Sequence, residues 1–218
     1  MIDTGENSKA AEPGFFACDS TTGRVYPSIL RPQVSPEEEI GPLLKEIGIL
    51  PEDIRWVVLT HLHSDHIDGA YHFPKSEFML SRTEHNRPYG AVTCVLPDWF
   101  KPNLISPQSD FSEMFPQAHP LTRSEDVWIL PTPGHSYGHQ SVLLRLSEVD
   151  ILFAGDTTFI QKQLLDNRVG GINADITMSR KTNAGIRRHM QLHPTVYLSS
   201  HDPESAARLL TLDTVNPS

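Results

Sequence analysis

His61, His63, Asp65 and His66 bring three imidazoles and a carboxylate into the six-residue run His61-Leu62-His63-Ser64-Asp65-His66. Nitrogen and carboxylate donors without thiolates suit zinc, with manganese, iron or cobalt as alternatives. The run directly follows Arg55-Trp56-Val57-Val58-Leu59, an apolar stretch that reads as a buried strand. A strand that stops in donors delivers them onto a loop at the sheet edge, where a metal can stay open to substrate. In extended backbone, residues two apart point the same way, so His61 and His63 can grip one ion together. Asp65 and His66 lie past the turn and point toward a second ion. The bland alternative, a polar loop that happens to be rich in histidine, does not account for this spacing after a strand.

Three further segments repeat the device. Leu130-Pro131-Thr132-Pro133-Gly134-His135 runs from a strand into a Gly-Pro turn that ends in histidine. Ile151-Leu152-Phe153-Ala154-Gly155-Asp156 ends in a carboxylate, and Val196-Tyr197-Leu198-Ser199-Ser200-His201 ends in histidine again. Four apolar strands that each stop at a donor-type side chain form a pattern rather than a coincidence of composition.

With these segments the chain resembles the metallo-β-lactamase superfamily, whose signature is a His-x-His-x-Asp-His loop with later His, Asp and His. The resemblance covers nearly the whole chain and implies an αββα four-layer sandwich; the order of elements alone supports only a mixed α/β protein. It implies one hydrolase domain over residues 1–218, with His61, His63 and His135 on a first metal. Asp65, His66 and His201 go to a second, and Asp156 bridges the two. Within the superfamily the chain is most similar to the N-acyl-homoserine lactonases, the quorum-quenching lactonases. The segments that carry this are Leu30-Arg31-Pro32, Ser81-Arg82-Thr83-Glu84, Thr132-Pro133-Gly134-His135-Ser136-Tyr137-Gly138-His139-Gln140-Ser141 and Ser200-His201-Asp202-Pro203-Glu204. The implied activity is metal-dependent hydrolysis of a carboxylic ester bond, with two zinc ions per chain and an N-acyl-homoserine lactone as substrate.

In that picture two ions about 3.5–4 Å apart share Asp156 and a bridging water, whose lowered pKa yields a hydroxide nucleophile near neutral pH. Asp65 ligates the second metal, orients the water and passes its proton to the departing alkoxide. His139, four residues beyond His135, is expected to orient the donor loop rather than to ligate. Asp202 is expected to hydrogen-bond a neighbouring imidazole, and Asp3 to be structural. His72, His85, His119, His189 and His193 sit in polar segments and read as surface residues. One position departs from the lactonases: where a tyrosine commonly follows the bridging Asp by three residues, this chain has Phe159. The aromatic body that would face substrate is kept and the phenolic donor is lost, a loss that costs about 2.7–4 kcal/mol when an oxyanion donor is removed elsewhere.

Two other readings stay open: another ester or thioester hydrolase of this fold, of the glyoxalase II type, and a non-catalytic, truncated metal-binding domain. The glyoxalase type carries basic residues on an added C-terminal helical domain, and only residues 202–218 follow His201. A β-lactamase is normally exported and often has Cys where Asp156 stands.

The formal net charge of −9 argues against nucleic-acid binding, which needs basic surface to replace phosphate counterions. The sequence has no apolar run long enough for a membrane span and no visible export signal, so the cytoplasm is the expected compartment. Cys18 and Cys94, the only two cysteines, read as ordinary thiols, with a single disulfide as the alternative. Ile2-Asp3-Thr4-Gly5 resembles the end of an early strand of the superfamily, so the first N-terminal strands are expected to be missing. An uncovered sheet edge invites association and leaves a homo-oligomer open.

The elements that must position the donors can be outlined. Residues 6–33, rich in Gly, Pro, Ser and Thr, read as a long loop. Ser35-Pro36-Glu37-Glu38 starts a helix that continues through Ile40, Leu43, Leu44 and Ile47, kinks at Pro42, and stops at Gly48. A short helix follows from Asp65 to His72, then a strand over Glu77 to Ser81. Residues 82–120 read as a helix followed by an irregular, aromatic-rich wall over the site, or equally as an ordinary packed loop region. Ser141 to Leu146 and Ile151 to Ala154 read as a hairpin. A helix over 175–192 (weakened by Gly185), a strand over 195–199 and a helix from Pro203 to Leu212 close the chain.

Overall fold

The computed structural model of the chain describes residues 1–16, 33–106 and 111–217. Internal contacts divide the chain into two compact units, Met1–Leu80 with Pro88–Leu104, and Ser81–Arg87 with Ile105–Ser218. Cys18, Leu30-Arg31-Pro32 and most of the loop expected over 6–33 lie outside the described residues.

In the first unit, Ser35 and Glu38 close a capping box around a 3₁₀ turn, Pro36–Glu38. Glu39 then swings to extended backbone (ψ 152°) and a separate helix, α1, runs over Ile40–Glu46. The kink expected at Pro42 is therefore a break at Glu39. Pro42 falls in the first turn of α1, where a missing N–H leaves no intrahelical bond unmade. Gly48 stops α1 at φ +80°, with Gly48 N–H on the Lys45 carbonyl and Ile49 N–H on Leu44, the paired bonds of a Schellman end. Strand β1 (Trp56–Val58) pairs in parallel with β2 (Glu77–Ser81), and β3 (Asn103–Ile105) completes a three-stranded sheet in the order β1-β2-β3. Ile2 bridges to Val58 on the far side of β1. The β1–β2 crossover carries α2 (Ser64–Ile67) and a 3₁₀ turn, Asp68–His72. It is pinned by a core of Val57, Leu59, Leu62, Ile67, Ala70, Phe73, Phe78 and Leu80. Burial of such side chains contributes about 1.5–3 kcal/mol each.

The second unit begins with a short helix, α3 (Arg82–Asn86). Its sheet has the order β4-β5-β6-β7-β8, made of His119–Pro120, Val127–Pro131, Gln140–Arg145, Asp150–Gly155 and Thr195–Ser199. The expected hairpin is present as the antiparallel pair β6–β7, with Val142 opposite Phe153. β7 and β8 are parallel, joined by a crossover that contains α4 (Gln161–Leu165) and α5 (Ile176–Leu192). Alternation along the strands feeds two clusters. Leu143, Leu152, Ala154 and Tyr197 pack with Ile186 and Met190 of α5, while Ile151, Val196 and Leu198 form the other. A sheet apolar on both faces reads as the continuous runs seen in the sequence. Helix α6 (Ser205–Thr211) follows β8.

Two expectations fail on packing. His189 is fully buried on α5 and bonds Asp150 (Nε2···Oδ2 2.9 Å) instead of lying at the surface. It falls on the same helix face as Thr182, Ile186 and Met190, which point into the unit. Cys94 is disulfide-bonded rather than a free thiol, because bridging depends on Cα separation in space, not along the chain. Among the described residues no helix is long and apolar enough to cross a membrane.

Candidate metal centre

The first unit gathers its four donors where β1 gives way to α2. The His61 and His63 rings lie 4.5 Å apart and the His61 and His66 rings 4.1 Å apart, and all three are buried. His63 is the extended residue just before α2 (ψ 153°), so the chain turns there and returns Asp65 and His66 on the first helical turn. Asp65 Oδ2 stands 3.4 Å from His66 Nε2. The opposite ring atoms are held by acceptors. His63 Nε2–H donates to the Tyr89 carbonyl at 2.9 Å, and His66 Nδ1–H donates to Asp3 Oδ2 at 2.8 Å. Each bond fixes a tautomer and leaves the other nitrogen's lone pair for an ion. A Cβ at residue 90 would come within 2.8 Å of His63 Nε2, so Gly90 is needed for that approach.

Asp3 does more than the structural role expected of it. Its carboxylate also accepts from the Thr60 backbone N–H (2.7 Å) and hydroxyl (2.9 Å), tying the end of β1 to His66. Its backbone sits at φ +51°, a conformation that Asp tolerates better than most residues. The signal available in the sequence was the Asp-Thr-Gly turn, which carries no mark of its distant partner. Asp68, buried two residues beyond His66, has its carboxyl pushed up to about 8 by burial and by the charges of Asp65 and Glu6.

The second unit assembles three donors from three strand ends. Asp156 follows β7 after Gly155 (φ +56°) at a register irregularity, which turns the carboxylate out of the ladder. Its Oδ2 lies 3.0 Å from His201 Nε2 and 3.6 Å from His135 Nε2. Asp156 and His135 are buried, whereas the His201 side chain is 44% exposed, so this set has one open side. His135 Nδ1–H donates to the Ile172 carbonyl at 2.9 Å. Phe159 packs edge-on against both imidazoles, with centroids 6.1 Å from His135 and 5.3 Å from His201.

His139 takes the Asp156 backbone N–H on Nε2 (3.0 Å), so its Nδ1–H faces the Thr132 hydroxyl (2.9 Å). The ring thus joins the Asp156 turn to the end of β5. Asp202 differs from expectation. It accepts from Arg208, Gln161 N–H and Glu204 N–H, not from an imidazole. Those bonds, led by the backbone ones, outweigh burial and hold its carboxyl below the ordinary value. The turn after β8 points this side chain back toward α6 while His201 points outward. Two further supports had no role assigned to them from the sequence. Buried Glu84 accepts from the Ser136 hydroxyl (2.6 Å) and Gly138 N–H (3.0 Å). Tyr197, whose phenol burial pushes up, meets the Thr157 and Thr158 hydroxyls just past Asp156.

Both sets consist of imidazole nitrogens and carboxylate oxygens on largely buried side chains, with the opposite ring nitrogens of His63, His66 and His135 already committed. Such donors fit zinc and related divalent ions. The donors lie in the segments that follow the carboxyl ends of β1, β5, β7 and β8, with Asp65 and His66 on α2, and open α/β sheets place their sites beyond such ends. The profile of the metallo-beta-lactamase superfamily matches residues 1–201. The chain belongs to that superfamily. As a superfamily member it is 28% identical over 211 residues to an N-acyl homoserine lactonase of Bacillus sp, covering 94% of this chain and 76% of the relative. It is 25% identical over 181 residues to the N-acyl homoserine lactonase AttM of Rhizobium radiobacter, covering 75% of this chain and 64% of AttM. The superfamily fold is also evident from a solved N-acyl homoserine lactone hydrolase with the product N-hexanoyl-L-homoserine at its catalytic metal center. That match has a TM-score of 0.74 and 21% identity, over 100% of this chain and 80% of the other.

Proposed function

We propose that the chain is a dinuclear-zinc hydrolase that opens the lactone ring of N-acyl-homoserine lactones. The observation that carries this reading is Asp156, whose Oδ2 faces His135 on one side and His201 on the other. That is the placement a carboxylate shared between two ions requires. His61, His63 and His135 would hold the first ion, and Asp65, His66 and His201 the second. When bound, such ions supply Lewis acidity and a water of lowered pKa. Asp65, beside His66, would take the proton of the attacking water and pass it to the alkoxide that leaves as the ring opens. Phe159 offers an apolar face between His135 and His201 for the acyl substrate. The lactonase relatives at 25–28% identity support the substrate class.

Elemental analysis of chelator-free protein should give about two equivalents of metal per chain, and chelation should lower the melting temperature because the ions contribute folding free energy. The substrate is tested by hydrolysis of acyl-homoserine lactones beside a thioester and a β-lactam. Faster cleavage of the thioester than of every lactone would overturn the lactonase reading; folded protein that takes up no metal would overturn the whole of it.

A further inference from the structure

We propose that Asn173 is a positioning residue for His135 and for the Phe159 wall, an assignment that rests on the metal-dependent reading above. The segment that orients His135 has no regular structure of its own. Ile172 accepts the His135 Nδ1–H, Ala174 N–H donates to the His135 carbonyl (3.0 Å), and Asp175 N–H donates to the Gly134 carbonyl (3.0 Å). The aim of the imidazole and the path of the loop beneath it therefore follow wherever residues 172–175 lie. These residues fall between α4 and α5, outside any helix or strand.

Beside Asp175, whose Oδ1 accepts from the Met178 N–H at 2.9 Å, Asn173 is a side chain that ties this segment down. Its Nδ2 donates to the Gly170 carbonyl at 2.6 Å, and its Oδ1 accepts from the Ser179 hydroxyl at 2.6 Å. Ser179 is buried on α5, and α5 presses directly on the His135 loop. A Cβ at Gly134, itself at φ +144°, would lie 2.3 Å from Ser179 Oγ. At the other end of the bridge, a Cβ at Gly170 would lie 3.9 Å from the Phe159 ring. One amide thus joins the helix under His135 to the turn behind Phe159. Only a side chain with both a donor and an acceptor can make the two bonds at once. With Ile172 held, His135 keeps its proton on Nδ1 and presents Nε2 to an ion; without that support the tautomers interchange and part of the population cannot ligate.

The test compares wild type with Asn173→Ala and Asn173→Asp by chelator competition on zinc-loaded protein. Long-range imidazole ¹⁵N–¹H spectra and melting curves of the metal-free protein accompany it. Asn173→Ala should weaken the ion at His135 by about 10–100-fold and mix the His135 tautomers. Asn173→Asp, which keeps the acceptor for Ser179 and loses the donor to Gly170, should show a smaller loss. A lower melting temperature with unchanged affinity and an unchanged Nδ1–H tautomer would mean a merely structural residue and overturn the proposal. If Asn173→Ala does not fold, wild-type affinity and tautomer in Asn173→Asp overturn it instead. Wild type without metal overturns the metal reading and this assignment together, whereas loaded wild type with equal variants overturns only the assignment.

Discussion

The two units supply donors by opposite routes. In the first, four donors come from one six-residue run, and a strand end followed by a helix start is enough to converge them. Long-range partners, Asp3 and the Tyr89 carbonyl, set ring tautomers, and Asp3 also ties the end of β1 to His66. In the second, three donors come from three separate strand ends, and support for each is itself remote. His135 leans on Ile172, Asp156 on His139, and the turn after β8 on the Gln161 N–H through Asp202. Contiguous donors inherit their geometry from secondary structure, whereas dispersed donors owe theirs to hydrogen bonds between loops. The donor set of the second unit should therefore be the more fragile of the two.

The largest effect is expected at Asp156. Asp156→Ala removes the oxygen that faces both His135 and His201, so metal content should fall from about two equivalents to below one and activity to that of chelated protein. Loss of a single equivalent would show that Asp156 belongs to one ion and that the second unit holds no bridge. Next comes Asp65→Asn, which keeps an oxygen donor but cannot shuttle a proton. Turnover should drop by about 10²–10⁴-fold at matched metal loading, and full activity at full loading would remove the proton role.

Supporting residues sharpen the contrast directly. Asp3→Ala and His139→Ala should each cost about 10–100-fold in metal affinity or activity, with His139→Ala the greater, since it releases the backbone of a dispersed donor. Equal losses, measured by chelator competition, would mean that contiguity gives no protection.

A smaller, pH-dependent effect is expected in the first unit at Glu39. Burial raises its carboxyl, but hydrogen bonds from Ser8, Tyr71 and His72 outweigh that and lower it from 4.5 to about 2. A depressed folded pKa contributes stability that is present above the unfolded value and lost as pH falls through the folded one. Wild-type melting temperature should thus decline between pH 4.5 and about 2, and Glu39→Gln should melt lower at neutral pH with a flatter decline. An identical acid profile in the variant would remove Glu39 as the cause. The smallest change is Phe159→Tyr, expected to raise homoserine-lactone turnover a few-fold if the phenol reaches the carbonyl or amide. With Phe159, kcat/KM should climb with acyl length at about 0.8 kcal/mol per buried methylene until the pocket ends. A flat chain-length series with no gain from tyrosine would reject Phe159 as the substrate wall.

Much of this was legible in the residues alone. Strand-then-donor segments at 56–66, 130–135, 151–156 and 196–201 marked the sheet ends because apolar runs and their stops are local signals. Ser35 and Gly48 marked the limits of the first helical stretch for the same reason: capping is decided within a few residues. Tertiary structure alone decided the partnerships. Asp3 meets His66, Glu84 meets Ser136, Asp150 meets His189, and Asp202 turns to Arg208 rather than to an imidazole. The first three join residues 39 to 63 positions apart, and no periodicity connects such positions. A polar side chain's identity states what it can donate or accept, while burial and the packing of distant segments determine which partner it finds.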